Sequence, residues 1–151
     1  MGSSEASQSP RGGRPGSRRE NFLDWGISFY EGILARCPNH VDVLQALGHL
    51  YTKHGNIEKG LQADLRLSIL CPTDRIVHYN LACSYALLGR KDDSLQALER
   101  AVLLGFDDVE KMSTDPDLQC LRDEPRFKAI LESLPQAPTE RFLKDHEKPA
   151  D

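Results

Sequence analysis

The chain has 151 residues, 39% of them hydrophobic and 28% charged, which is the balance of about one soluble globular domain. Residues 1–20 carry a net charge of +2, so residues 21–151 carry −6, which argues against binding to nucleic-acid phosphates. No apolar run approaches the roughly 18 residues of a membrane span and no charged-then-apolar leader opens the chain, so we expect a cytoplasmic protein that contacts no membrane.

The first segment is polar and rich in Ser, Gly, Pro and Arg. Ala6 is its single apolar side chain after Met1, so the segment cannot bury enough surface to offset the entropy cost of ordering. We therefore predict a disordered tail over residues 1–20. Its arginines form one short basic run without aromatic residues, which favours a solvated tail over an RNA-binding arm.

From Asn21 onward the apolar residues recur at helical spacing. Pro38 ends the first run and Pro72 ends the third, while Gly55 and Gly89 follow the second and fourth runs as helix-ending residues. Asp74 and Asp92 are placed as helix N-caps. The apolar residues of the first run are Phe22, Ile27, Phe29, Tyr30, Ile33 and Leu34. Turns of two to four residues between runs predict antiparallel helical hairpins.

The chain repeats itself at a shift of 34 residues. Residues 41–74 and 75–108 share ten identical positions, where composition alone gives roughly two. A fixed period of this size is typical of stacked helical hairpins, which usually hold other proteins. The repeat is lost over residues 106–134, where Asp115-Pro116 and Glu124-Pro125 suit helix starts, and we predict a terminal cap there. Residues 135–151 are predicted to be a flexible tail.

These positions resemble the tetratricopeptide repeat. The first copy supplies Leu44, Leu47, Gly48, Tyr51, Gly55, Gly60 and Pro72, and the second supplies His78, Leu81, Ala82, Tyr85, Gly89, Ser94 and Ala101. Small residues at 48, 60, 82 and 94 suit the close approach of two helices, and we expect Tyr51 and Tyr85 to pack between hairpins rather than to touch a ligand. Residues 22–38 resemble the second helix of a preceding, truncated repeat.

The resemblance implies an all-α, right-handed superhelix of helical hairpins over residues 21–134. It would contain about two full repeats, a leading helix and the C-terminal cap. In this family the first helix of each hairpin lines a concave groove that binds an extended peptide or a helix of a partner protein. Assigning such a binding groove to this chain rests on an analogy of fold.

The matching groove positions are the candidate partner-binding residues: Gln45, His49, Lys53, Ile76, Tyr79, Asn80 and Cys83. We expect Tyr79 and Asn80 to contribute most, because Tyr79 offers a large amphipathic contact and Asn80 can bond a peptide main chain. The cations of the carboxylate clamp found in chaperone-binding members are missing, since Glu110 and Thr114 occupy the positions of its third helix. A chaperone adaptor of that kind is therefore disfavoured.

The sequence shows no catalytic, metal or cofactor site. His49 and Cys83 occupy equivalent positions in neighbouring repeats, yet neither a third zinc ligand nor an orienting group accompanies them. The four cysteines form no CxxC pair and are predicted to be free thiols. The scattered acidic residues, Asp64 among them, are interpreted as solvated faces and caps.

The sequence therefore predicts a non-catalytic protein–protein interaction module, an adaptor or scaffold that acts through its groove. The alternative is a self-association unit giving a homo-oligomer, in which end helices such as 21–37 pair with a second copy. We expect the chain to be a monomer or a weak homo-oligomer. An accessory subunit of an enzyme is the least favoured possibility.

Overall fold

The computed structural model describes residues 18–135, and these residues contain helices and no strand. The predicted all-α fold is confirmed. The helices are α1 Arg18–Arg36, α2 Val41–Lys53, α3 Ile57–Leu70, α4 Arg75–Leu87, α5 Lys91–Leu103, α6 Val109–Thr114, a 3-10 helix Pro116–Leu121, and α7 Pro125–Ser133.

Two antiparallel hairpins form the body of the molecule, α2 with α3 and α4 with α5. Each hairpin turns at a glycine, Gly55 or Gly89, whose φ of +85° or +72° lies in the left-handed region that side chains disfavour. α3 packs against α4 and α1 packs against α2, so the helices are stacked in chain order. The two predicted repeats and the leading helix are thus present.

Small residues bring the two helices of each hairpin close together. A Cβ built on Gly60 would lie 3.4 Å from the carbonyl oxygen of Gly48 and 2.9 Å from the hydroxyl of Thr52. In the second hairpin the equivalent residues are Ala82 and Ser94, both fully buried, and the Ser94 hydroxyl donates to the Ala82 carbonyl at 2.7 Å. Two different residue pairs, Gly48 with Gly60 and Ala82 with Ser94, therefore allow the same close approach of two helices, as the repeat predicted.

The N-terminal helix differs from the prediction in two ways. It begins at Arg18, three residues earlier than Asn21, because exposed polar residues are tolerated in a first turn, where Glu20 also suits the helix dipole. Its apolar residues also lie on two faces. Ile27 and Tyr30 are half-buried, whereas Phe22 and Phe29 are exposed. The remainder of the predicted N-terminal tail and residues 136–151 of the C-terminal tail lie outside the described residues.

One predicted helix cap is right and another is wrong. Asp74 accepts from the backbone N–H groups of Ile76 and Val77 at the start of α4. α5 begins at Lys91, so Asp92 lies inside its first turn. There its negative charge favours the helix through the positive end of the helix dipole and not by capping.

Residues 106–134 form the predicted C-terminal cap. The 3-10 helix packs against α4 and α7 packs against α5. The apolar side chains of the cap are buried in one core with the last hairpin, namely Phe106, Met112, Leu118, Leu121, Phe127, Ile130 and Leu134. Arg126 of α7 donates two hydrogen bonds to the Glu99 carboxylate of α5, at 2.6 and 2.7 Å, and holds the pKa of that carboxyl below its usual value.

Tyr51 and Tyr85 make packing contacts but are half-buried. The Tyr51 hydroxyl donates to the Glu31 carboxylate of α1 at 2.5 Å, and the Lys59 ammonium of α3 lies 5.3 Å from the ring centre. The ring of Tyr85 lies 4.7 Å from the guanidinium of Arg90. Each tyrosine therefore packs at the edge of the core, beneath a cation of its own hairpin.

No helix within residues 18–135 combines the length and the apolar character needed to cross a bilayer.

We expect alanine at Gly60 to destabilise the protein and alanine at Gly32 to stabilise it. Both changes favour a helix by about 0.5–1 kcal/mol. At Gly60 the new methyl group meets Thr52 and the α2 backbone, and the repacking costs about 1–3 kcal/mol. At Gly32 nothing lies within 4 Å of the new atom. Urea unfolding of the two variants measures the difference, and equal midpoints would show that the close approach is unimportant.

Candidate functional site

A concave recess, here called the groove, lies where α2, α4 and the cap meet. α2 supplies Gln45, His49 and Thr52, α3 supplies Asp64, α4 supplies Asn80, Cys83 and Leu87, and the cap supplies Lys111, Asp115 and Asp117. Its volume is about 220 Å³, below the roughly 300–1,000 Å³ of typical small-molecule sites. The groove is therefore suited to one or two side chains of a larger ligand.

The predicted partner-binding residues do not all lie in the groove. Gln45, His49 and Asn80 lie on its walls with exposed side chains, while Cys83 is buried at its floor. Ile76 lines an adjoining recess that shares Tyr79, Asn80 and Lys111 with the groove. Lys53 lies near the end of α2 and lines neither recess.

Tyr79 is a core residue, and the expectation that it offers a large contact surface is wrong. Only 2% of its surface is exposed. Its ring stacks on Phe106 with centroids 4.3 Å apart, and its hydroxyl donates to the Asp115 carboxylate at 2.7 Å. Burial raises its pKa, and the bond to Asp115 raises it further. Both partners belong to residues 106–134, where the repeat no longer predicts contacts.

The cap supplies three charged groove residues that the sequence did not indicate. Asp115 caps the 3-10 helix by accepting from the Asp117 amide at 3.0 Å. Burial raises the pKa of Asp117, and the nearby Asp115 raises it further. The Lys111 ammonium lies 5.6 Å from the centre of the Tyr79 ring. The repeat register placed Glu110 and Thr114 at this part of the groove, but the structure places Lys111 there. The Asp115-Pro116 pair predicted the start of the 3-10 helix, but it did not predict that this start lies at the groove.

Asp64 is buried, and its interpretation as a solvated acid is wrong. It is 8% exposed and accepts a hydrogen bond from the Ser84 hydroxyl at 2.5 Å, which links α3 to α4. Burial raises the pKa of Asp64 to about 6, although the bond from Ser84 lowers it. The groove therefore contains a carboxyl group that titrates near neutral pH. Asp64 lies between Ala63 and Leu65 and one helical turn from the buried Leu61 and Leu67, so the apolar spacing around it was a signal that could have indicated its burial.

Cys83, Asp115 and Asp117 each place one ligand atom within 4.8 Å of the others. Their chemistry suits a metal poorly. Burial raises the pKa of the Cys83 thiol, so it stays protonated at neutral pH, and only a thiolate binds metal well. Asp115 already accepts from Tyr79 and Asp117. We therefore assign no metal to this cluster. All four cysteines are free thiols.

No known protein-family profile matches the sequence. A curated protein with sequence similarity is a chloroplastic protein from Arabidopsis thaliana, which is 30% identical over 93 residues. The alignment covers 60% of this chain and 28% of that protein, so the chain spans little more than a quarter of that relative's length.

Two crystal structures of MamA share the fold. One has a TM-score of 0.63 and 22% identity, with 76% of this chain and 66% of the MamA chain covered. The other has a TM-score of 0.58 and 20% identity, with 89% and 91% covered. At such identity the likeness concerns the fold alone. It confirms the predicted fold class, a tetratricopeptide-type solenoid of stacked helical hairpins.

We expect Tyr79→Ala to cost about 3–5 kcal/mol of unfolding free energy, as truncation of a buried aromatic residue does. Tyr79→Phe keeps the stack on Phe106 and loses only the bond to Asp115, so its cost should be about 1–2 kcal/mol. Tyr51→Phe serves as the control, because its hydroxyl bond is exposed. Denaturant unfolding measures all three. Wild-type stability in Tyr79→Ala would contradict the core assignment.

Asp64 predicts a pH dependence of stability. Its folded pKa of about 6 lies above the unfolded value of 3.8, so its favourable contribution is complete below pH 3.8 and is lost as pH rises through 6. Asp64→Asn should therefore gain about 3 kcal/mol relative to wild type between pH 4 and pH 8. Chemical unfolding across this range measures the gap. A constant gap for Asp64→Asn would refute the assignment.

Proposed function

We propose that this chain is a non-catalytic protein-interaction module of the tetratricopeptide repeat class, whose groove binds an extended segment or a helix of a partner protein. The observation that carries the proposal is a set of unused polar groups on the groove walls. Gln45, His49 and Asn80 are exposed there, and none of these side chains has a hydrogen-bond partner within residues 18–135. Amide and imidazole groups can both donate to and accept from a peptide main chain.

The charges of the groove suggest which partner side chains it prefers. Asp115 and Asp117, together with the ionised fraction of Asp64, face one cation, Lys111. An excess of carboxylates at low exposure favours a partner segment that carries Lys or Arg. It disfavours capture of a terminal carboxylate, which needs an excess of cations. We therefore propose a basic segment as the ligand, recognised in the cytoplasm.

Selection from a peptide display library tests this proposal with a defined probe. The full chain is the bait, peptides that bind the bare support are removed, and the selected peptides are then measured against the double variant Gln45→Ala/Asn80→Ala. The surviving peptides should be enriched in Lys and Arg. Their affinity for the double variant should be weaker by about 2 kcal/mol or more, roughly 30-fold, because the wall amides bond the peptide directly. Isothermal titration calorimetry measures the difference.

Gln96→Ala is the matched control. It makes the same chemical change as Gln45→Ala at an exposed position of α5 outside the groove. It should bind the selected peptides as the wild type does. Peptides that bind wild type and the double variant equally would show that the groove is not the site. Peptides without enriched Lys or Arg would contradict the proposed ligand charge.

A further inference from the structure

Three aromatic residues form a row on the exposed face of α1. Phe22, Trp25 and Phe29 are 67%, 62% and 50% exposed. The rings of Trp25 and Phe29 are stacked with centroids 5.4 Å apart, and Phe22 lies 6.3 Å from Trp25. We call this row the aromatic ridge. Isolated exposed apolar residues are ordinary, but a contiguous exposed apolar patch marks an interaction surface.

The repeat identifies what the aromatic ridge is placed to contact. Phe29 lies 34 residues before Ala63, which is buried in the first hairpin, and 68 before Ala97, which is buried in the second. A Cβ at Gly48 of α2 would lie 3.6 Å from the Cβ of Ala63, so this position faces the first helix of its own hairpin.

The other two ridge positions follow the same rule. Trp25 corresponds to Lys59, whose ammonium lies over the Tyr51 ring of the first helix. Phe22 corresponds to Arg90, whose guanidinium lies over the Tyr85 ring of the first helix in the second hairpin. All three ridge residues therefore have an equivalent that lies beside a first helix in one of the complete hairpins. α1 has no such helix within residues 18–135.

Residues 1–17 do not have the composition to cover the aromatic ridge. Ala6 is their single aliphatic side chain after Met1, and a helix that packs on three rings needs an apolar stripe of its own. A second copy of α1 does carry such a stripe. The ridge is self-complementary, as a two-fold symmetric contact requires.

We propose that two copies of this chain pair through α1, with the aromatic ridges packed antiparallel. Each α1 then takes, for the other copy, the position that a first helix occupies in the complete hairpins. Arg18 and Arg36 lie at the two ends of this face, so their charges stay at the solvated rim.

The area of the ridge sets the strength of the pairing. Three aromatic rings of about 150–250 Å² each, half to two thirds exposed, offer roughly 350 Å² per copy. Two copies bury about 700 Å² in total, below the roughly 1,200–2,000 Å² of stable complexes. The pairing is therefore weak and reversible.

Trp25 allows a direct test, because it is the only tryptophan of the chain. Sedimentation of the full chain from about 5 μM to about 1 mM, a range that covers weak association, should show a monomer–dimer equilibrium. Over the same range the Trp25 emission should shift to shorter wavelength as the ring leaves water. The variant Phe22→Ser/Phe29→Ser keeps the reporter. This variant should raise the dimer dissociation constant at least about tenfold, because apolar contact area is removed. It should also abolish the shift in Trp25 emission.

Ile69→Ser/Leu103→Ser is the matched control, since it removes two exposed apolar side chains that lie on α3 and α5. It should dimerise as the wild type does, and circular dichroism should show intact helices in both variants. The proposal fails if the wild type stays monomeric at about 1 mM, a concentration at which even weak complexes form. It also fails if the ridge variant dimerises as the wild type does, or if a dimer forms with no change in Trp25 emission.

Discussion

The close approach of the two helices within each hairpin is the constraint on which the rest of the structure depends. It needs two small residues that face each other, Gly48 with Gly60 and Ala82 with Ser94. Once the helices are this close, the turn between them must be short, and a left-handed glycine closes it. In the stack that results, α3 packs against both α2 and α4, and exposed residues of α2 and α4 line the groove.

The sequence predicted this part of the fold because each element of it is encoded locally. A helix stripe, a turn glycine and a small contact residue can all be read within one repeat, and the second repeat then confirms the first. The N-terminal helix shows the limit of that reasoning. Apolar spacing placed Phe22 and Phe29 in a helix, but it could not separate the face that meets α2 from the face that meets nothing within residues 18–135. That difference depends on neighbouring helices, which periodicity does not report.

The groove shows the same division between local and distant contacts. Gln45, His49 and Asn80 line the groove with exposed side chains, and the repeat register indicates such positions because it fixes which residues of a first helix face inward. Tyr79 was assigned wrongly from the same register. Its burial depends on Phe106 and Asp115, which lie beyond the repeat. The hydrogen bond of Asp64 was not predicted for a similar reason, since its partner Ser84 lies 20 residues away on the next hairpin.

The two ends of the solenoid are covered differently, and this difference relates the groove to the aromatic ridge. At the C-terminal end the cap buries its apolar residues against α4 and α5 and also supplies Lys111 and Asp117 to the groove. At the N-terminal end of the described residues, α1 leaves aromatic rings exposed. Because the ridge lies on α1 and the groove on α2, α4 and the cap, the proposed pairing through α1 uses none of the groove residues. A partner that carries two copies of the proposed segment would then gain affinity through effective concentration.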